Sequence, residues 1–169
     1  LMLRHLEPGG SAPPCSGALT EVLAAEYTRM LSVFVAGTVT LRMFDVRFLR
    51  AGLAVYSTET PWVAQLQQAL AKPHCERELW LAQLQAVVTA VHQQPQGLQK
   101  PRLKLLLPGV AGAPTVDDLH WLREQLAGSP ALQALPVGAQ LSHPRAASWL
   151  NELAPLLDFV GLASSELTA

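Results

Sequence analysis

Apolar residues recur at three- and four-residue spacing through Leu19, Val22, Leu23, Tyr27, Met30 and Leu31, a period that predicts a helix. Ser16 and Thr20 are its candidate caps, and Gly37 ends it. Residues 38–44 alternate and are β-rich, so they predict a strand. Residues 47–59 are less regular, and within them 52–56 reads as a short strand or an extended loop. Pro61 suits the first turn of a helix reaching Ala71, with Thr60 as cap. After Pro73 a longer helix is predicted over 75–92, its apolar face made of Leu79, Leu81, Ala82, Leu84, Ala86, Val87, Val88 and Val91.

Residues 103–107 form a near-continuous apolar run broken only by Lys104, and Pro108-Gly109 closes it. Thr115-Val116-Asp117-Asp118 reads as a helix start, with the acids favoured by the positive end of the helix dipole. That helix runs to Gly128. Residues 136–141 and 157–162 predict two more short strands, separated by a helix over 145–153. Alternation of apolar strands with amphipathic crossovers predicts an α/β fold with parallel strands. No glycine-rich phosphate loop follows a strand, which disfavours a dinucleotide-binding version and favours a (β/α) barrel or part of one.

Composition narrows the function. Half of the 169 residues are apolar and 15% are charged, as in a compact fold. Net charge is −1 and no basic run occurs along the chain, which argues against nucleic acid as a partner. No apolar run reaches the ~18 residues of a membrane span, and no signal peptide is legible, so a cytoplasmic protein without a membrane role is expected. Cys15 and Cys75 match no metal-ligand spacing and read as free thiols. His5, His74, His92 and His120 lack partners at ligand spacing. Ser142 and His143 are neighbours, and adjacent residues in a strand would point to opposite faces, which disfavours a nucleophile–base pair. The four tryptophans, Trp62, Trp80, Trp121 and Trp149, read as packing residues.

Several stretches, in order, carry a resemblance. Thr38-Val39-Thr40-Leu41-Arg42-Met43-Phe44-Asp45 is similar to a strand reading PVTIRTLD. The stretch from Glu78 to Val88, ELWLAQLQAVV, is similar to a helix reading LFRTQLRAIL, and LKLLLPGV from Leu103 is similar to LRIMFPMV. The stretch from Pro136 to Ala147 tracks PVGVMVETPAAA, and LDFVGLASSELT from Leu157 is close to VDFFSIGTNDLT. Leu1-Met2-Leu3-Arg4 fits the exit of a strand reading RTEFLFL. These segments belong to the phosphoenolpyruvate-binding barrel of sugar-phosphotransferase enzyme I, whose relatives are pyruvate phosphate dikinase and phosphoenolpyruvate synthase. Residues 52–59 also resemble the first strand of that family, GIGLYRTE, but out of order with the other matches.

The resemblance implies a partial (β/α) TIM-barrel-like segment of the phosphoenolpyruvate-utilising type over residues 1–169. In the family, arginines and a magnesium ion grip phosphoenolpyruvate, because guanidinium forks match anionic oxygens and magnesium takes hard oxygen ligands. Arg42 falls at the strand arginine that would contact phosphate, with Asp45 the neighbouring acid; both are the candidate substrate-binding residues. The GWRAIR segment corresponds to Pro61-Trp62-Val63-Ala64-Gln65-Leu66, so both of its arginines are replaced, and the GGDK loop is absent. Of the metal ligands, the VETP glutamate corresponds to Ser142, while Glu166 stands for the aspartate of GTNDLT, with Ser165 for its asparagine.

The acid cysteine, the later strands and the phosphohistidine domain of the family have no counterpart in the sequence. The expectation is therefore a phosphotransferase relative that does not complete phosphoryl transfer alone, or a pseudoenzyme serving as a dimerisation or interaction module. An unrelated α/β domain that binds a small molecule is a third reading. Expected partners are phosphoenolpyruvate, a second copy in a homodimer, or other segments of a larger phosphotransferase protein. The opening Leu1-Met2-Leu3 fits a segment of a longer chain. Strand edges exposed by an incomplete barrel would invite pairing.

Overall fold

The computed structural model describes residues 17–34, 36–53, 61–71, 75–94, 100–108, 116–141 and 150–162. In chain order the elements are α1 (Gly17–Val33), β1 (Thr38–Arg42), α2 (Val46–Leu53), α3 (Pro61–Ala71), α4 (Cys75–Gln93) and β2 (Arg102–Leu107). There follow α5 (Val116–Ala127), β3 (Val137–Leu141), α6 (Leu150–Leu153), a 3-10 turn (Ala154–Leu156) and β4 (Phe159–Leu162). They form two compact units. One falls within Leu1–Gly37 and Phe44–Pro101, the other within Thr38–Met43 and Arg102–Ala169.

The first unit is helical. α1 lies along α4, and α3 touches α1, α2 and α4. Leu19, Val46, Leu66, Ala69, Leu70, Cys75 and Leu79 bury together, with Leu23, Phe44 and Leu49 packed on them. Gly37 follows at φ +102°, a conformation that only glycine adopts without steric cost. Thr20 is not the cap of α1: it sits within the first turn of the helix, and its buried Oγ1 has no partner among the described residues. Ser16, Thr60 and Thr115 lie outside the described residues.

The expected strand or loop over 52–56 is overturned where it is described. Gly52 and Leu53 end α2, and 54–56 lie outside the described residues. Asp45 starts that helix, its Oδ1 accepting from Phe48 N at 3.3 Å and its carbonyl from Leu49 N at 2.9 Å. α2 ends on the cation of Arg50, which donates to the Leu70 carbonyl of α3 at 2.8 and 3.3 Å. Together these contacts let eight residues with a glycine near the end stand as a helix.

The second unit holds a four-stranded parallel sheet in the order β1-β2-β3-β4, each strand beside its successor in sequence. The register pairs Leu41 with Leu105, Leu105 with Val137 and Ala139 with Val160. One face is apolar: Val39, Leu41, Met43, Leu105, Leu107, Val137, Ala139 and Leu141 are buried. α5 adds Leu119, Leu122 and Leu126 to the core. The predicted strands, the helix over 62–71 and the long helix after Pro73 match the observed elements to within a few residues. Of the helix expected over 145–153 only α6 is described. No helix among the described residues is long and apolar enough to cross a membrane.

Candidate functional site

Strand alternation places Thr38, Thr40 and Arg42 of β1 on the face opposite the buried residues, and their side chains are exposed. The register brings Arg102, Lys104 and Leu106 of β2 alongside them, then Gly138 and Gln140 of β3, then Phe159 and Gly161 of β4. This face therefore carries two arginines, one lysine, two threonines and one glutamine, and no residue of the four strands is acidic. Arg42 ends β1 and pairs with Leu106, so it stands at the C-terminal side of the sheet. That is the side on which α/β sheets bind ligands.

Lys104 is half-buried, and its Nζ lies 5.1 Å from the centroid of the Phe159 ring. One strand, β3, separates them, and Gly138 makes the contact possible. A Cβ at position 138 would meet the Phe159 ring carbons at 2.5 to 2.6 Å, so the ring lies directly over the glycine.

The entry of β4 is fixed from the other side. Asp158 Oδ2 accepts from Val137 N at 2.7 Å and from Arg123 Nη2 at 2.7 Å, while Asp158 N donates to Val137 O at 2.8 Å. The Val137 amide, helped by the Arg123 guanidinium, holds this carboxyl below its usual range. Arg123 also donates to the Leu156 carbonyl.

The exit of β1 leads to Phe44, in the first unit. Its N–H donates to Gln83 Oε1 and its carbonyl accepts from Trp80 Nε1, both at 2.9 Å. Trp80 and Gln83 share one face of α4, and Gln83 Nε2 also donates to Tyr27 OH at 2.7 Å. Burial pushes the Tyr27 hydroxyl pKa up, partly opposed by this bond. Cys75 is a free, buried thiol, raised by desolvation and by nearby Glu76, with Arg50 Nη2 3.7 Å from its sulfur. His92 Nδ1 is 2.8 Å from the Val88 carbonyl on its own helix.

Of the sequence-predicted site residues, Arg42 belongs to the sheet unit and Asp45 to the helical one, where Asp45 caps α2. Ser142, His143 and Glu166 lie outside the described residues. No group of three or more His, Cys, Asp or Glu side chains among the described residues could hold a metal ion. Sequence reasoning missed Lys104, Gly138, Phe159 and Gln83. The available signal for Lys104 was its place as the sole polar break in the apolar run 103–107.

Fold and face together define a class: a mixed α/β protein with a parallel sheet of sequential strand order and one face on which the strands carry basic but no acidic residues. Compared with protein-family models, curated proteins and solved structures, the chain matches none.

Proposed function

We propose that this chain is a barrel segment of the phosphoenolpyruvate-binding type that retains an oxyanion-binding face at Arg42 but does not transfer the phosphoryl group by itself. The observation that carries the reading is the placement of Arg42 at the C-terminal side of a parallel sheet, on its polar face. Two features support it. Sequential order of parallel strands is the winding of a (β/α) barrel, whereas doubly wound sheets reverse direction. Gln83, aligned with the glutamine of LFRTQLRAIL, is buried and holds the backbone just after the strand that resembles PVTIRTLD. Loss of transfer follows from the replaced GWRAIR arginines and from Ser142 at a metal-ligand position. Calorimetric titration of phosphoenolpyruvate tests the reading. Saturable binding, unaffected by magnesium and lost in Arg42→Ala, is expected; no heat at millimolar ligand would overturn it.

A second reading, the interaction module, is favoured by β4. Among the described residues it pairs only with β3, and Val160 and Leu162 on its apolar face are 43% and 71% exposed. Such an edge invites a second copy. Sedimentation is expected to show a dimer that Leu162→Lys dissociates; a monomer at all concentrations would exclude this module.

A further inference from the structure

We propose that Lys104, held by the Phe159 ring where that ring crosses Gly138, is a ligand-contacting cation of the polar face and takes a carboxylate or phosphate oxygen of the molecule bound at Arg42. The inference rests on the oxyanion-binding reading above and adds to it a residue that neither the resemblance nor the linear sequence assigns.

Register sets the geometry. Lys104 pairs with Thr40, two positions before the Arg42–Leu106 pair. With strands ~4.8 Å apart and a rise of ~3.3 Å per residue, the backbones of Lys104 and Arg42 are roughly 8 Å apart on one face. Side chains of that length can close on a small dianion from two sides. Gly138 is paired with Phe159, and the near-contact a Cβ would make there shows that the ring occupies the glycine's side-chain space. In this way an aromatic side chain on β4 reaches across β3 to β2.

What the ring does to the lysine is the chemical point. An ammonium over an aromatic face is attracted by the ring quadrupole, yet keeps N–H donors on the side away from it. The ring directs this charge without cancelling it, and the described strands add no carboxylate. Lysine is also among the side chains that lose most rotamer freedom on ordering. Stacking on Phe159 incurs part of that loss before any ligand arrives, which raises affinity by preorganisation.

Lysine-selective 13C labelling of the full chain tests this, since Lys72, Lys100 and Lys104 are its only lysines. The Lys104 Hε signals, assigned with Lys104→Gln, are expected upfield through the ring current and should return to ordinary positions in Phe159→Leu. Titration with phosphoenolpyruvate, pyruvate and inorganic phosphate should move the Lys104 signal saturably. Pyruvate and phosphate then report which oxyanion it takes. Affinity should fall roughly tenfold in Lys104→Gln, as for loss of one charge-assisted hydrogen bond, and recover in Lys104→Arg.

If phosphoenolpyruvate binds and depends on Arg42 while Lys104→Gln binds as wild type, this inference is wrong and the Arg42 reading stands. If phosphate or pyruvate moves Lys104 but phosphoenolpyruvate does not, the substrate reading fails and the Lys104 site survives. A Lys104 signal that no anion moves overturns the inference outright.

Discussion

Asp158 is a carboxylate used for construction. It receives the first amide of β3 and the Arg123 guanidinium, so its ionised form is the one the fold favours. A carboxyl whose pKa is depressed in the folded state contributes stability that is present above its unfolded value, here the ordinary 3.8, and is lost as pH falls through the folded value. Thermal unfolding of Asp158→Asn should therefore lose less stability than wild type as pH falls below about 4, and start lower at pH 7. Identical pH slopes for the two proteins would contradict the role given to Asp158. The side chain is partly exposed, so the effect is screened and modest. None of this was legible in the sequence, where Asp158 is one acid in a strand-like run; the partner Arg123 lies 35 residues away.

At the scale of elements, α4 was the most readable segment and α2 the least. Nineteen residues give helical periodicity several turns in which to repeat, and the predicted end of α4 differs from the observed one by a single residue. α2 has eight residues, and its helical state depends on Asp45 at one end and, at the other, on Arg50 bonded to the Leu70 carbonyl of α3. Even in α4 the pattern named only the apolar members. Gln83 is 2% exposed and uses both ends of its amide, on Phe44 and Tyr27. Gln83→Leu should leave the Phe44 amide and the Tyr27 hydroxyl unpaired, at a cost of about 2–4 kcal/mol. Urea denaturation followed by circular dichroism measures it, and a loss within experimental error of zero would mean that water replaces the glutamine.

For the molecule as a whole, the parallel α/β class followed from the alternation of apolar strands with helices, and the strand order bears that class out. The cationic face did not follow, because Arg42, Arg102 and Lys104 come from two strands separated by three helices and form no run in the sequence. Only register brings them together, and register is not written in periodicity. The resemblance to the phosphoenolpyruvate-binding barrel supplied Arg42 and Asp45; the fold adds Lys104 beside Arg42 and gives Asp45 the work of a helix cap. On the function proposed above, this face binds an oxyanion without completing the chemistry. Titration of phosphoenolpyruvate into wild type and Arg42→Ala, with pyruvate release followed in the same samples, tests that claim most directly. Saturable binding to wild type alone, with no pyruvate from either protein, is expected. Equal binding by both proteins, no binding by wild type, or pyruvate release from wild type would contradict it.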